Sequence, residues 1–538
     1  MYIYITVALS VQLNIKRVNG LEDSDKKMIL FQKLIIYLML ASFFKAQCAK
    51  ILGIFQVASH SHYTAHSTLM KILAENGHDV TIVSTHKDKN PPRNYKQVIL
   101  TEVSDKMKGG TPNFYNASMN LWLEEIIFIY FCTDLIEDVF RHPKFQALMN
   151  SGEQFDAVII EEFYSEALKY IAHHFKAPLI VLNAMDANEW VNHYQGNPDS
   201  PSYTPSLHSL DLSCNMSFFD RIFNSLVYIY LCLIRYFLLI PVQNSMLHKY
   251  YPEAPHLNDL VYNVSLVFLN ADPSVHEPLP RVPSMINIGG YHIRKTEPLP
   301  EDLKKVLDNA KYGVIYFSMG SVLQGKDIPE DKLNYLLEAF SKLNETVLFK
   351  LEGRKLSEKP PNVVIRDWFP QNDVLAHKNV KLFITHGGLF STLEAVYHAV
   401  PILSLPVFAD QYVNSKRAAS NGFAKYIPFN EIDDQNFNSY LSDMLKNQTY
   451  KKNIIKRSKM LTDKPISPAE SVNFWVEYVI SHQGAPHLKV ASLNLYWYQY
   501  LLLDVIAFIF TLLLLTFYIA RKLNYLIFGK HYEKIKPD

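Results

Sequence analysis

A histidine followed by two glycines, His386-Gly387-Gly388, separates a short apolar run from a segment of helical composition. The run, residues 380–385, has the length and the polar bounds of a buried strand, and the helix is expected over residues 389–399. A turn of this kind leaves free N–H groups and the positive end of the helix dipole directed at one point. The pattern predicts an anion site, suited above all to phosphate, with the His386 side chain as an additional donor.

Side chains able to bind a ligand flank this turn. Trp368 and Gln371 precede it, and Asp410 and Gln411 follow the next apolar run. Glu394, two turns into the helix, is able to accept hydrogen bonds from sugar hydroxyls. A histidine–glycine turn alone is weak evidence, because glycine turns occur in any α/β protein, but the flanking residues make this stretch more specific.

The whole stretch resembles the signature of the UDP-glycosyltransferases, the family that includes the membrane-bound UDP-glucuronosyltransferases. The similarity extends over roughly residues 51–538. It implies a UDP-sugar as co-substrate and no cofactor. It also implies that the UDP-sugar contacts Ser321, Trp368, Gln371, His386, Gly387, Gly388, Ser391, Glu394, Asp410 and Gln411.

The resemblance implies a role for most of these residues. Trp368 would stack on the uracil, and Gln371 and Glu394 would bind the ribose. The diphosphate would lie on His386 and the backbone that follows it. Residues 410–411 would bind the hydroxyls of the sugar.

Leu389-Phe390 departs from many vertebrate members of the family, in which a Thr-Asn pair often supplies further phosphate contacts. The apolar pair resembles the insect-type branch, and it removes the support for side-chain phosphate contacts at these two positions. UDP-glucose is the favoured donor for this reason. UDP-glucuronic acid is the alternative, although no cationic residue in the signature awaits a carboxylate.

Joining a hydroxyl to a sugar carbon requires a base that faces the cleft, either a histidine or a carboxylate. His62 directly follows the first strand, where such a residue belongs. In the family, the catalytic histidine lies fifteen residues before the glycine of a GH-x-VT strand start, and counting back from Gly77 gives His62. His60 and His66 are so close that the choice rests on the resemblance.

A catalytic imidazole needs a partner that fixes its tautomer and stabilises the cation. The family supplies a carboxylate in a pattern like FD-x-V-x-x-D, and the sequence FDAVIIEE places Glu161 in that position, with Glu162 as the alternative. No metal is expected, because the only Asp-x-Asp pair, at residues 23–25, precedes the proposed signal peptide. Helix ends, His386 and glycine backbone must then meet the charge of the diphosphate.

These residues require a scaffold that collects the ends of several strands. In the first half, apolar strands alternate with helices at 51–57, 80–84, 157–160, 179–182 and 264–270. The second half repeats the alternation from Gly313 onward. Such alternation indicates a parallel sheet covered on both faces. The fold class is α/β, and by resemblance two Rossmann-like domains form the GT-B arrangement, with ligands in the cleft between them.

The chain is long enough for two large domains with appendages. The expected organisation is a non-native or removed extension (1–27), a signal peptide (28–49), an N-terminal acceptor-binding domain (50–285), a C-terminal UDP-sugar-binding domain (286–482), a juxtamembrane segment (483–500), a transmembrane helix (501–520) and a cytosolic tail (521–538). Prolines over residues 278–300 indicate the interdomain linker. Residues 467–482 are expected to pack back toward the first domain.

The two ends of the chain predict its location. Residues 28–49 have the basic flank, apolar centre and small residues of a signal peptide, with a first membrane anchor as the alternative. Residues 501–520 are long and apolar enough to cross a bilayer, and Arg521-Lys522 place the tail in the cytosol. The lysines at 534 and 536 resemble a dilysine retrieval signal, so we expect a single-pass type I protein of the endoplasmic reticulum. Sequons compatible with a lumenal chain stand at Asn116, Asn215, Asn263, Asn344 and Asn447.

Composition excludes other classes of protein. The net charge is +1, which gives no indication of a nucleic-acid partner. The four cysteines form no cluster, which argues against a disulfide framework or a structural zinc site. Residues 218–240 are apolar but interrupted by charged and polar residues, which favours a core or interfacial helix, with membrane-surface contact as the alternative.

The sequence therefore predicts a membrane-anchored, lumen-facing enzyme that transfers a sugar to a small lipophilic acceptor by one inverting, metal-independent attack. An acceptor pocket or ordinary core packing would equally explain the aromatic residues Phe114, Trp122, Phe128, Trp190 and Phe218. A catalytically silent member that binds lipophiles or a partner enzyme is the alternative from another class. Whether the chain forms a homo-oligomer is left open.

Overall fold

The computed structural model describes residues 48–103, 115, 121–206, 208–209, 212, 214–356 and 358–529. The proposed upstream extension, nearly all of the signal peptide, the retrieval signal, Asn116 and Phe114 lie outside these residues. The described chain forms two parallel β-sheets, covered by helices, and an apolar C-terminal helix. The predicted α/β class with two Rossmann-like folds is therefore confirmed.

The first sheet has the strand order β3-β2-β1-β4-β5-β6-β7, and all neighbouring strands are parallel. Its strands are β1 (Lys50–Ile54), β2 (Asp79–Ser84), β3 (Tyr95–Ile99), β4 (Ala157–Glu161), β5 (Leu179–Asn183), β6 (Val264–Leu269) and β7 (Met285–Asn287). The strand order reverses between β1 and β4. Ligands of doubly wound sheets bind beyond the carboxyl ends of the strands at such a reversal.

The second sheet has the order β10-β9-β8-β11-β12-β13 and is also parallel throughout. Its strands are β8 (Val314–Ser318), β9 (Thr346–Lys350), β10 (Val363–Arg366), β11 (Val380–Thr385), β12 (Ile402–Ser404) and β13 (Ala424–Tyr426). Here the order reverses between β8 and β11. The two sheets therefore have equivalent positions at which ligands are expected.

Helices connect the strands and cover the sheets. In the first half they are α1 (His60–Glu75), α2 (Leu121–Arg141), α3 (Pro143–Met149), α4 (Tyr170–His174), α5 (Glu189–Gln195), α6 (Phe218–Ile234), α7 (Ile240–Tyr250) and α8 (Leu257–Val261). In the second half they are α9 (Glu301–Asp308), α10 (Glu330–Ser341), α11 (Gln371–Leu375), α12 (Leu389–Tyr397), α13 (Gln411–Ser420), α14 (Asp434–Lys446), α15 (Gln448–Thr462), α16 (Pro468–Ser481), α17 (Trp497–Tyr500) and α18 (Leu503–Asn524).

The strands are buried on both faces, as expected for parallel sheets. In β1, Leu52 and Ile54 belong to one apolar cluster, whereas Ile51 belongs to the cluster on the opposite face. In β11, Leu382 and Phe383 divide in the same way between two clusters of the second half. Side chains alternate along a strand, so each sheet is the middle layer of three.

The end of the chain returns to the first domain, as the sequence predicted for residues 467–482. Val472 and Val476 of α16 lie in the same apolar cluster as Ile51 of β1. Ahead of α16, Lys464 pairs with Asp272 at 2.6 Å. Beyond α16, the Ser492 hydroxyl donates to the carbonyl of Gly196 at 3.0 Å.

Three short strands went unrecognised in the sequence. These are β3, β7 and β13. β7 lies within residues 278–300, the proline-rich stretch that the sequence predicts to be the interdomain linker. Two expected strands are also shorter than predicted. β1 ends at Ile54 because the chain turns toward the Ser59 cap of α1, and β12 ends at Ser404 ahead of Pro406. Such short strands between prolines or turns give no alternation long enough to be recognised.

Two helical stretches within the described residues are long and apolar enough to cross a membrane, Phe218–Tyr250 and Leu503–Phe528. The first comprises α6, a π-helical turn at Arg235–Leu239 and α7. Leu231 is buried, but Phe219 is exposed, which fits the interfacial option better than a core helix. The second includes α18 and is exposed along its length.

Candidate active site

A histidine and a carboxylate meet where the first sheet reverses. The Ser59 side chain caps α1 by accepting from the backbone N–H of His62 at 3.3 Å, which places His62 in the first turn. Glu161 is the last residue of β4, the strand beside β1. Nδ1 of His62 hydrogen-bonds to Oε1 of Glu161. One turn further along α1, Nε2 of His66 lies 3.0 Å from Oε2 of the same carboxylate.

The electrostatics of this pair favour a carboxylate beside a basic imidazole. Burial would raise the pKa of Glu161, but the charges and hydrogen bonds of His62 and His66 outweigh it and lower the pKa to about 2. Burial opposes a charge on His62, but Glu161 and the charge of Asp410 raise its pKa. Because a carboxylate only accepts, Nδ1 of His62 carries the proton, which leaves Nε2 as the basic atom.

The neighbouring Glu162, the alternative partner, is directed elsewhere. The Tyr194 hydroxyl donates to it at 2.8 Å, and Nζ of Lys169 lies 3.5 Å away. Lys169 also pairs with Glu166, which in turn accepts from Arg235 at 3.0 Å. All these side chains are buried. The structure therefore brings Glu161, and not Glu162, together with His62.

The histidine–glycine turn lies at the reversal of the second sheet. Gly387 has a φ of +85°, which favours glycine, and Gly388 begins α12 without a side-chain cap. A Cβ on Gly320 would come within 2.6 Å of the His386 ring. Burial and the charge of Lys350 lower the pKa of His386 to about 4, so its imidazole is neutral. The turn thus combines free helix N–H groups with a neutral ring.

The residues beside this turn differ in what they offer an anion. The Ser321 hydroxyl is buried and has no hydrogen-bond partner within the described chain. Leu389 is part of the apolar core, and Phe390 packs against the core of the first domain. The carbonyl of Phe390 lies 3.3 Å from Nε2 of His292. The apolar pair therefore contributes packing between the domains, and Ser321 is left as a free donor.

Trp368 lies at the mouth of the cleft with 52% of its surface exposed. Nζ of Lys350 lies 4.8 Å from the centre of its ring. The ring of His60, from the first domain, lies 4.9 Å away. The indole is therefore held between side chains of both domains, and its exposed area is available for stacking.

Three of the predicted ribose and phosphate residues are joined by hydrogen bonds. The Gln371 amide donates to Glu394 at 2.6 Å and to the hydroxyl of Ser391 at 3.1 Å. Burial raises the pKa of Glu394 to about 7, against the opposing effect of Gln371. This group therefore exchanges its proton close to neutral pH.

Asp410 and Gln411 lie at the start of α13. The Asn414 amide donates to Asp410 at 2.7 Å, and burial raises the pKa of Asp410. The carbonyl oxygen of the Gln411 side chain accepts from the backbone N–H groups of Val407 at 2.9 Å and Phe408 at 3.3 Å. These bonds orient the side-chain amide of Gln411 and leave its NH₂ group for a ligand.

A solvent-open cavity lies between the two domains next to Asp410. The first domain contributes residues that follow β5, and the second contributes residues of α12 and α13. Its charged lining residues are Asp186, Glu189, Asp199, Asp410 and Arg417. Acidic groups therefore predominate around this part of the cleft.

An aromatic cluster extends from His62 into the first domain. The Phe163 ring lies 5.4 Å from His62, and Tyr164 lies 4.8 Å from Trp190 and 6.1 Å from Phe128. Phe128 and Trp190, proposed from sequence for the acceptor pocket, are thus connected to the site through these rings, and Trp190 also belongs to a buried apolar cluster with Ile129 and Leu239. Two other candidates are not, because Trp122 packs on Tyr230 and Phe218 is exposed on α6.

His62, His66 and Glu161 offer ligand-type atoms that lie within 4.8 Å of one another. Both oxygens of the carboxylate are already shared with the two imidazoles. A carboxylate beside an imidazole is the arrangement that orients a histidine in known acid–base sites. Near the histidine–glycine turn, Nζ of Lys350 donates to the Gly320 carbonyl at 2.6 Å and pairs with Glu352.

The positions of two residues in the site were not recognised from the sequence. His66 lies four residues after His62 on α1, so helical spacing places both on one face. Lys350 is the last residue of β9, at the carboxyl end of a strand. Both positions follow from rules of periodicity and topology, but only after the exact ends of the elements are known.

Comparison with known proteins gives a consistent result. The family model described as "UDP-glucoronosyl and UDP-glucosyl transferase" matches residues 49–536. UDP-glucosyltransferase 2 from Dactylopius coccus is 35% identical over 487 residues, which cover 89% of this chain and 93% of the relative. UDP-glucuronosyltransferase 1A3 from Rattus norvegicus is 31% identical over 376 residues, which cover 69% of both chains.

Among solved structures, the glycosyltransferase SnogD from Streptomyces nogalater aligns with a TM-score of 0.52 at 14% identity. The alignment covers 80% of this chain and 99% of that one. At this identity the similarity concerns the fold alone. The predicted GT-B arrangement is confirmed.

Proposed function

The chain belongs to the family of UDP-glucoronosyl and UDP-glucosyl transferases and is a UDP-glycosyltransferase, and from this premise we propose one inverting displacement with His62 as general base. The observation that carries the proposal is the contact of His62 with the buried Glu161 carboxylate. Asp410 of the opposite domain is close enough for its charge to raise the pKa of His62. The base and the proposed sugar contact therefore face each other.

In the proposed step, Nε2 of His62 accepts the proton of the acceptor hydroxyl. The acceptor oxygen forms a bond to the anomeric carbon while the bond from that carbon to the UDP oxygen breaks. The electron pair of the broken bond leaves with UDP, and the configuration at the carbon inverts. Glu161 stabilises the imidazolium that results.

We propose that the leaving UDP is stabilised without a metal ion. The free N–H groups at the start of α12 and the neutral His386 ring supply donors, and Ser321 supplies an unpaired hydroxyl. Gly387 and Gly388 allow the diphosphate to approach the backbone closely. Trp368 would stack on the uracil, while Gln371, Ser391 and Glu394 would hold the ribose side.

UDP-glucose is the proposed donor, with UDP-glucuronic acid as the alternative. The acidic residues around the cavity beside Asp410 oppose the carboxylate of a glucuronosyl group. Among the described residues, Arg417 is the one cation that lines this cavity, and its Nε lies 4.0 Å from Glu277. The Dactylopius coccus relative is also named a glucosyltransferase.

A small lipophilic alcohol or phenol is the proposed acceptor. The rings of Phe163, Phe128, Tyr164 and Trp190 extend from His62 and would pack on an apolar acceptor. The polar cavity near Asp410 lies on the sugar side. An apolar body with a hydroxyl directed at His62 fits both parts of the cleft.

We propose that α18 spans the membrane of the endoplasmic reticulum and that the two domains lie in the lumen. The helix is exposed along its length and ends in basic residues. The sequons at Asn215, Asn263, Asn344 and Asn447 all lie at exposed positions, as glycosylation in the lumen would require.

The test is to incubate the full-length protein in microsomes with each UDP-sugar and a panel of phenols, with and without a chelator. We expect glucoside formation from UDP-glucose, unaffected by the chelator, with a β-linked product from the α-linked donor. A retained α-configuration or loss of turnover with chelator would overturn the mechanism. Binding of phenols without turnover on any donor would favour a catalytically silent protein instead.

A further inference from the structure

We propose that His66 is a positioning residue of the catalytic centre, which holds the second oxygen of Glu161 and thereby fixes how the carboxylate meets His62. The proposal rests on the proposed function of His62 as the base. The proposal adds His66 to the pair formed by His62 and Glu161. His66 acts through Glu161 and does not contact the substrate.

The geometry gives one carboxylate to two histidines. His62 and His66 lie one helical turn apart on α1, and both point toward the end of β4. His62 uses Oε1, and Nε2 of His66 lies 3.0 Å from Oε2. The ring of His66 stacks on Phe55 with centroids 4.1 Å apart and planes 9° apart, which fixes its orientation.

Burial makes the second contact important. Glu161 is completely buried, and an ionised carboxylate in that position requires donors for its oxygens. His66 is also buried, and burial lowers its pKa despite the charge of Glu161. A neutral His66 brings a donor atom, Nε2, to within 3.0 Å of Oε2 without adding a charge. Neither ring nitrogen of His66 completes a hydrogen bond within the described chain, and the carboxylate of Glu161 is the group that Nε2 approaches, at 3.0 Å.

The length of Glu161 explains why such a contact is needed. The family pattern that locates this residue has an aspartate, and glutamate adds one methylene and one rotatable bond. A longer side chain has more rotamers to lose when it is held in one orientation. Anchoring Oε2 on His66 removes that freedom and leaves Oε1 directed at His62.

Few other charged groups face this centre. Asp410 of α13 acts on His62 from across the cleft. Cys132 of α2 and Tyr291, which follows β7, face Glu161, and burial raises the pKa of both. Both are therefore neutral at physiological pH. Within the described chain, Glu161, the two histidines and Asp410 are therefore the groups that determine how protonation of the centre changes with pH.

The test compares two variants that separate hydrogen bonding from packing. His66→Phe keeps a ring against Phe55 but removes the donor, whereas His66→Gln keeps an N–H donor and loses the stacked ring. We expect kcat of His66→Phe to fall about tenfold or more, by analogy with other residues that orient a catalytic ligand. KM for UDP-glucose should be unchanged, because His66 does not touch the donor site.

The pH profile provides the readout that packing alone would not change. Without the His66 donor, the negative charge of Glu161 interacts with His62 alone. It then stabilises the imidazolium of His62 more strongly and raises the pKa of that group. The acid limb of kcat should therefore move to higher pH in His66→Phe and stay near the wild-type position in His66→Gln. In the Glu161→Gln background, His66→Phe should add little, because the charge through which it acts is absent.

Three results would overturn the proposal. They are an unshifted acid limb in the pH profile of His66→Phe, equal losses of kcat in His66→Phe and His66→Gln, or fully additive effects of His66→Phe and Glu161→Gln on kcat. Melting temperatures of all variants show whether a loss reflects unfolding. His62→Ala separates the two levels of inference: turnover in that variant would overturn the proposed base itself, whereas an inactive His62→Ala with an unaltered His66→Phe would overturn only the role of His66.

Discussion

The two sides of the cleft are built in different ways. On the side of the first domain, His62 is hydrogen-bonded to Glu161 and His66 lies 3.0 Å from the second oxygen of that carboxylate, so this group is assembled without a ligand. On the other side, α12 begins uncapped, the Ser321 hydroxyl is unpaired within the described chain, and His386 is neutral. The first side is preorganised for proton transfer, whereas the second has donors that an anion would complete.

The difference indicates which property each side controls. Changes in the first domain should alter turnover and leave nucleotide binding almost intact. Changes at the histidine–glycine turn or at Trp368 should alter nucleotide binding first. Substitutions on each side therefore test whether the comparison holds.

The largest effect is expected for His62→Ala. Removing a general base costs about 10² to 10⁴ in rate, because the acceptor must then lose its proton to water. UDP binding should remain near the wild-type value. Turnover and the Kd for UDP, measured by product formation and calorimetry, check both halves of this expectation. Turnover within a few-fold of wild type would mean that another group is the base.

Gly387→Ala should affect binding next most strongly. The backbone at this position has a φ of +85°, and a Cβ there would collide with the hydroxyls of Ser404 and Ser415. Backbone strain of this kind costs about 1–3 kcal/mol. We expect a loss of UDP affinity of at least tenfold together with a lower melting temperature. Gly152→Ala is the control, since it has a similar φ of +71° but open space around it.

Trp368→Ala should weaken UDP binding by removing the stacking surface for the base. Stacking of a base on an aromatic side chain contributes about 1–3 kcal/mol, by analogy with nucleic-acid binding. The kcat at saturating donor should change little, and Trp368→Phe should recover part of the affinity. Equal affinity of all three proteins for UDP, measured by calorimetry, would remove the stacking role.

The smallest effects are expected from pH, and they differ between the two sides. The raised pKa of His62 means that turnover falls as pH decreases through a value above 6.5, because the base becomes protonated. Glu394 has a pKa of about 7, so below that pH it loses its negative charge and UDP binding should weaken by a few-fold. Titrations of kcat and of the Kd for UDP measure the two separately. Glu394→Gln should remove the pH dependence of the Kd for UDP and leave the pH dependence of kcat unchanged. A change in the pH profile of kcat would contradict the assignment of the two groups.

Much of this arrangement follows from the sequence. The alternation of strands and helices predicts both sheets, and the signature brings together Gln371, Ser391 and Glu394 as found. The choice between Glu161 and Glu162 does not follow, because successive residues at a strand end point to opposite sides. Which side faces His62 depends on the packing of α1 against the sheet.

Other features depend on contacts that no local pattern records. β7 is three residues long and lies among prolines, so only its pairing with β6 identifies it. Phe390 is a signature residue that packs on the opposite domain. His66 lacks any distinguishing motif, and its importance depends on which carboxylate it reaches.

The return of the chain to its first domain has a mechanical consequence. The polypeptide crosses between the lobes twice, and Lys464 on the second crossing reaches the Gly289 carbonyl on the first, at 3.3 Å. The crossings therefore form one double-stranded hinge. Because the Ser492 hydroxyl donates to the Gly196 carbonyl, the segment that leads to α18 is attached to the histidine-bearing lobe, and the other lobe is connected to it through these two crossings.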